Sequence, residues 1–92
     1  MIMRFLAWFR NIPQRRAAVA SAVNHFESTK STPAHRGISS VIAKAPEGYV
    51  VRVCYGHIKP PGRAWFLVSA EGSIIAELSF DQVKQHGEEM WR

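Results

Sequence analysis

The sequence predicts an α+β domain: an N-terminal helix packed on a four-stranded antiparallel meander, followed by a short C-terminal helix. Residues 12–28 carry apolar side chains at helical spacing, whereas residues 37–80 are rich in β-branched and aromatic residues. The β-prone segments are separated by only a few residues, and such short connections join antiparallel strands because parallel strands need long crossovers. A chain of 92 residues suffices for one such domain.

The helix is predicted from one apolar stripe. Its members follow the i, i+3, i+4, i+7 spacing of a helical face: Val19, Ala22, Val23 and Phe26. Asn11 and Pro13 suit the first turn of a helix, so the helix starts at about residue 12 or is continuous with the apolar segment 1–10. Both alternatives stay open at this point. The Ser/Thr-rich segment 28–33 ends in a proline and predicts a linker.

Four strands are predicted, at residues 37–45, 49–59, 63–70 and 74–80. On the second strand, alternation places one set of side chains on a single face: Tyr49, Val51, Val53 and Tyr55. On the last two strands, it predicts one apolar face towards the helix: Ala64, Phe66, Val68 and Ala70 with Ile74, Ala76, Leu78 and Phe80. The opposite, mixed face includes Trp65, Leu67 and Ile75. The alternatives are that this face pairs two copies, binds a target, or is covered by the N-terminal segment or by the terminal "MWR".

Local signals define the connections. Pro61 and Gly62 suit the central positions of a type II turn, where proline presets φ and glycine accepts a positive φ. Ser79 with Gln82 three residues later predicts a capping box, and Gly87 predicts a helix stop. The C-terminal helix is therefore expected at residues 81–86.

A helix wrapped by such a meander resembles the cystatin-like domains. The run from the Tyr-Val-Val strand through the Pro/Gly turn, the aromatic strand and "IIAEL" is also similar to the closing hairpins of small immunity-type proteins with the nuclear-transport-factor-like fold. This similarity covers about residues 46–80. It implies the fold rather than a particular activity.

The net charge of +5 is unevenly distributed. Residues 1–63 carry ten Lys/Arg against two acidic residues, a net +8, whereas residues 64–92 carry two against five, a net −3. This asymmetry fits an anionic partner, head-to-tail pairing in a homodimer, or solubility alone. The single cysteine, Cys54, excludes an internal disulfide and fits a reducing, cytoplasmic location.

The N-terminal segment 1–10 is apolar but interrupted by Arg4 and Arg10, so it does not provide the roughly 20 apolar residues of a membrane span. It packs on the domain, lies on a membrane surface or docks into a partner. The Arg-, Ala- and Ser-rich composition of the first part of the chain also matches that of an organellar transit peptide.

No catalytic, metal or cofactor site is predicted. Cys54 and His57 are three residues apart, which places them on opposite faces of a strand unless the strand breaks at Gly56, and the other histidines lack paired ligand spacing. No pair of carboxylates is placed for acid–base chemistry, and no glycine-rich phosphate loop is present.

Basic and aromatic residues around the "GHIKPPGRAW" stretch are the candidate binding residues: Arg52, Tyr55, Lys59, Arg63 and Trp65. Trp, Tyr and Arg are the side chains that most often anchor protein interfaces. We therefore expect a non-enzymatic protein-binding domain, an inhibitor or an immunity-type or phage-encoded modulator that acts by steric occlusion. The alternatives are a nucleic-acid-binding module that uses the same residues, a membrane-surface protein, and a Tyr55–Trp65 cross-strand pair with only a structural role.

Overall fold

The architecture was obtained from a computed structural model, which describes residues 2–56 and 61–91, with side chains within 13–56 and 61–85. The elements in chain order are α1 (Ile2–Lys30), β1 (Ser40–Ala45), β2 (Gly48–Tyr55), β3 (Gly62–Ser69), β4 (Ile74–Leu78) and α2 (Phe80–Trp91). The strands form one antiparallel sheet in the order β1-β2-β3-β4. The predicted α+β fold, a helix, a four-stranded meander and a C-terminal helix, is confirmed.

Helix α1 is continuous through Pro13, so the second of the two sequence alternatives is the correct one. Three members of the predicted stripe are buried against the sheet, each at most 3% exposed: Ala22, Val23 and Phe26. The fourth, Val19, is only partly buried. Predictions about the side chains of residues 1–10 lie outside the described side chains. Within the described residues, no helix is long and apolar enough to cross a bilayer.

The face of the sheet that packs on α1, here called the inner face, holds the larger core. Its fully buried side chains come from the two central strands: Val51 and Val53 on β2, and Phe66 and Val68 on β3. Tyr49 belongs to the same core, and its hydroxyl donates a hydrogen bond of 3.0 Å to Gln14 Oε1 on α1. The predicted alternation of β2 is confirmed.

The opposite, outer face is covered by α2. Val83 packs on a second cluster of buried side chains, formed by Ala45, Val50, Leu67 and Leu78. The capping box is confirmed, because Ser79 N donates to Gln82 Oε1 at 2.8 Å and Gln82 N donates to Ser79 Oγ at 3.3 Å. The predicted stop at Gly87 is wrong, since α2 continues to Trp91.

A β-bulge in β4 overturns the predicted alternation of that strand. Val68 pairs with Ile74 but Leu67 pairs with Ala76, so Ile75 is an extra residue in the ladder. Beyond the bulge every side chain changes face, which places Leu78 opposite Trp65 on the outer face and Glu77 opposite Phe66 on the inner face. The prediction that Ala76, Leu78 and Phe80 share the face of Phe66 is therefore wrong. Phe80 instead begins α2.

Strand β1 is the other edge of the sheet and also contains a bulge, with Ile42 as the extra residue. Bulges on edge strands disturb the regular row of backbone groups with which another sheet would pair. The strand begins at Ser40, later than predicted, because the backbone N–H groups of Ile38 and Ser39 donate to His35 O in a turn.

Candidate functional site: a cleft at the open edge of β3

Strand β4 leaves the sheet before β3 ends. The last residue pair between them is Trp65 with Leu78, whereas β3 begins three residues earlier at Gly62. Residues Gly62–Ala64 pair with β2 on one side, and no described strand pairs with them on the other. The chain turns away here because Ser79 caps α2 instead of continuing the strand. A short open edge results.

The backbone of Arg63 points towards this open edge. In an antiparallel sheet the N–H and C=O groups of successive residues point alternately to the two neighbouring strands. Ser69 N donates to Ser73 O at 2.8 Å, so Ser69 and the alternate residues of β3 are directed towards β4. Arg63 belongs to that set, and β4 has already ended where its partner would lie. Among the described residues, no strand binds this backbone donor and acceptor, which are positioned to pair with an additional strand.

A cleft of about 450 Å³ surrounds this edge. Its lining comes from both faces of the sheet and from the end of α1: Phe26, Lys30, Thr32, Tyr55, Arg63, Ala64, Trp65, Glu77 and Leu78. Tyr55 and Ala64 belong to the inner face, whereas Trp65 and Leu78 belong to the outer face. A cleft lined from both faces has to pass around the edge of the sheet, so the free backbone groups of Arg63 lie within it.

The inner wall of the cleft is aromatic. The ring of Tyr55 stacks on Phe26 with centroids 4.8 Å apart and an interplanar angle of 30°. Tyr55 also lies over Gly62, its partner across the sheet, and a Cβ at Gly62 would overlap Tyr55 Cε2. The absence of a side chain at Gly62 is what lets the tyrosine ring occupy this position. Covering a strand glycine with an aromatic ring is a known stabilising device.

The outer wall is formed by Trp65 and lies beside an exposed aromatic residue. The rings of Trp65 and Phe80 are 5.7 Å apart and tilted by 55°. Phe80 is 61% exposed although it is the first residue of a helix that packs on the sheet. An exposed aromatic ring next to a half-buried tryptophan is the kind of surface that interfaces bury.

The electrostatics of the cleft leave one cation unpaired. Lys30 and Glu77 form a loose ion pair of 3.8 Å, with both side chains about half exposed. Arg63 is exposed, and among the described residues no carboxylate lies within ion-pair distance of it. The cleft therefore has a net positive charge. This charge comes from Arg63, the residue whose backbone groups face the open edge.

The structure brings three of the five predicted binding residues together, since Tyr55, Arg63 and Trp65 all line the cleft. Arg52 lies opposite Trp65 on the outer face, and its Nε is buried without a hydrogen-bond partner among the described residues. Lys59 lies outside the described residues.

Two structural interpretations of this region are wrong. Trp65 pairs with Arg52 and Tyr55 pairs with Gly62, so no Tyr55–Trp65 cross-strand pair exists. Gly62 lies in β3 and does not adopt a positive φ, so the type II turn with Gly62 at its third position does not form.

Sequence reasoning missed the part of the cleft that comes from α1 and β4. Phe26 was recognised only as a core residue, and Lys30, Thr32 and Glu77 were not singled out. Lys30 and Thr32 follow the apolar stripe at the end of α1, where the chain turns towards the sheet. Glu77 reaches the inner face only because of the bulge at Ile75, for which the sequence has no local signal.

A second cleft, of about 400 Å³, lies between α1 and β1. Three arginines contribute to its lining: Arg15, Arg16 and Arg36. Arg36 Nη2 is already bound to Glu27 Oε1 at 2.8 Å and to Asn24 Oδ1 at 2.9 Å. This cleft is consequently a basic surface in which one of the three cations is neutralised.

Cys54 packs as a small buried group. It is 4% exposed, and its Sγ donates a long contact of 3.7 Å to Ile38 O. Its backbone N donates to Ser39 Oγ, so both groups serve the packing of the turn before β1. No group of three or more His, Cys, Asp or Glu residues with metal-binding proximity occurs in the described part of the chain.

Comparisons of the chain with protein-family models, with curated proteins and with solved structures gave no match. The resemblance to cystatin-like and immunity-type domains therefore stays a prediction.

Proposed function

We propose that this chain is a small non-enzymatic binding protein that recognises another protein and acts on it by steric occlusion, as an inhibitor or an immunity-type or phage-encoded modulator. The observation that carries the proposal is the cleft at the β3 edge, where Tyr55, Arg63 and Trp65 surround free backbone groups. Aromatic side chains and arginine supply most of the binding energy in protein interfaces.

The surroundings of the cleft suit an inhibitor that works by blocking. Its walls belong to a sheet that is packed on both faces, by α1 and by α2, so the binding surface is held rigidly. A rigid surface loses little conformational entropy on binding, which favours affinity. The target would be obstructed by the domain itself, and no chemistry by this chain is needed.

Capture experiments test the proposal. The full chain is immobilised and exposed to host lysate in parallel with the variant Arg63→Glu/Trp65→Ala, which alters the cleft, and with Lys44→Glu, which changes an exposed cation on β1 outside it. We expect a discrete protein retained by the wild type and by Lys44→Glu but lost from the cleft variant. Retention by all three proteins, or no protein enriched on the wild type, would contradict the proposed use of the cleft.

Nucleic-acid binding is the second candidate function, and the basic cleft between α1 and β1 favours it. Arg15 and Arg16 are exposed on α1 and share this cleft with Arg36. Electrostatic contacts to phosphates weaken steeply as salt rises. If this function is correct, retention of the chain on immobilised single-stranded DNA or RNA falls as salt rises and is reduced in Arg15→Glu/Arg16→Glu. No retention at low salt would exclude nucleic-acid binding.

A further inference from the structure

We propose that the cleft binds an extended acidic segment of the partner protein, which adds to β3 as an extra antiparallel strand beside Arg63. This inference rests on the proposed function and specifies the partner's chemistry. The open edge provides its starting point, because Arg63 N–H and C=O are directed towards that edge, Arg63 lines the cleft, and no described strand lies opposite it. Main-chain hydrogen bonds to an exposed strand edge are a recurring mode of peptide recognition.

The register of such a strand follows from the sheet. A residue placed directly opposite Arg63 exchanges both backbone hydrogen bonds with it and shares its outer face. Opposite charges across such a pair stabilise it. Arg63 has no carboxylate partner among the described residues, so the residue opposite it is expected to be Asp or Glu.

The residue that follows the acidic residue in the bound segment points to the inner face. It would lie opposite Gly62, beside the stacked rings of Tyr55 and Phe26. The position opposite Ala64 is taken by Ser79, which follows Leu78, so the paired segment begins at the acidic residue. The small Gly62 and the aromatic rings at its side leave room for an apolar side chain, and the expected recognition pattern is therefore acidic–apolar.

Two other possible ligands of the cleft, a nucleic acid and a second copy of this chain, fit it less well. A nucleic acid offers no backbone groups that complete a sheet, and Glu77 contributes a carboxylate to the same cleft. A second copy of this chain that paired β3 with β3 around Arg63 would place the two arginines opposite each other, and like charges at such positions are destabilising. An acidic peptide meets neither obstacle.

A random heptapeptide display library tests the inference. It is selected on the immobilised full chain after depletion on Arg63→Glu, and the enriched peptides are synthesised with and without N-methylation of the acidic residue. The N-methyl group removes the peptide N–H that donates to Arg63 C=O but leaves the side chains unchanged. The variant Lys44→Glu, on the far edge strand β1 and outside both clefts, is the control for charge at a distance.

We expect enrichment of peptides with an acidic residue followed by an apolar one. Affinity should fall at least tenfold on N-methylation and at least tenfold in Arg63→Glu, and change less than twofold in Lys44→Glu. No enrichment, enrichment of peptides without an acidic residue, or equal binding of the N-methylated peptide would overturn the inference. So would cleft-dependent binding of a labelled single-stranded oligonucleotide instead of peptides.

Failure here is distinguishable from failure of the proposed function. If a lysate protein is captured through the cleft but the library yields no peptide, the binding function stands and strand addition is wrong. If neither a protein nor a peptide depends on Arg63 and Trp65, both proposals fall.

Discussion

The ring of Tyr55 covers Gly62, its cross-strand partner, and is held there by stacking on Phe26 of α1. The glycine lacks a Cβ, the tyrosine occupies that space, and the helix fixes the tyrosine. This relationship shapes the inner wall of the cleft and joins α1 to the start of β3.

Gly62→Ala is expected to destabilise the domain by about 1–3 kcal/mol, because the new Cβ would overlap the Tyr55 ring and force it away from Phe26. Urea unfolding measures the change. In a Tyr55→Ala background the same substitution should have little effect, since the clashing ring is gone. An equal effect in both backgrounds would show that the ring is not what excludes a side chain at Gly62.

Glu27→Ala is expected to destabilise more than Arg36→Ala, although the two residues form one ion pair of 2.8 Å. Glu27 Oε2 also accepts a hydrogen bond of 3.2 Å from Ala34 N, so Glu27 ties α1 to the linker as well as to Arg36. We expect about 1–2 kcal/mol for Glu27→Ala and below about 1 kcal/mol for Arg36→Ala. The reverse order in chemical denaturation would contradict this account of the linker.

Ser79→Ala should lower the free energy of unfolding by about 1 kcal/mol, the usual effect of losing a helix N-cap. Gln82→Ala removes the reciprocal bond to Ser79 N and should have a smaller effect of the same sign. Thermal unfolding of both variants measures the two contributions. Stability unchanged in Ser79→Ala would mean that the capping box does not fix the start of α2.

Deletion of Ile75 tests the bulge in β4. Because Ile75 is the extra residue, its removal makes Ile74 and Ala76 consecutive opposite Val68 and Leu67, so Glu77 and Leu78 keep their faces. We therefore expect deletion of this 46% exposed residue to cost less than about 2 kcal/mol, because no buried side chain changes place. In a regular ladder the same deletion would turn Leu78 out of its buried position. A loss well above about 2 kcal/mol in urea unfolding would therefore argue against the bulge.

The sequence was sufficient to predict the features that depend on local periodicity. Alternation in β2 placed Tyr49, Val51 and Val53 on one face, and the spacing of Ser79 and Gln82 predicted the cap of α2. These patterns act over a few residues, so no distant contact is needed to recognise them. The candidate residues Tyr55, Arg63 and Trp65 were found in the same way, by residue type near a turn.

The open edge itself could not be predicted, because it depends on where two distant segments stop pairing. The bulge at Ile75 shifts the register of β4, and the cap at Ser79 ends the strand opposite Trp65. Neither Lys30 nor Glu77 has a sequence signal that places it beside Tyr55. The sequence placed Gly62 in a turn because Pro61 precedes it. In the structure Gly62 is the first residue of β3 and lies under the Tyr55 ring.

Amide hydrogen exchange of the free protein, followed by NMR, tests the central claim most directly. The N–H of Ala64 points towards β2 and that of Trp65 towards β4, whereas the N–H of Arg63 points towards the open edge. The structure predicts fast exchange at Arg63 between slowly exchanging neighbours at Ala64 and Trp65. Exchange at Arg63 as slow as at Trp65 would show that the edge is already paired and would contradict the proposed binding site.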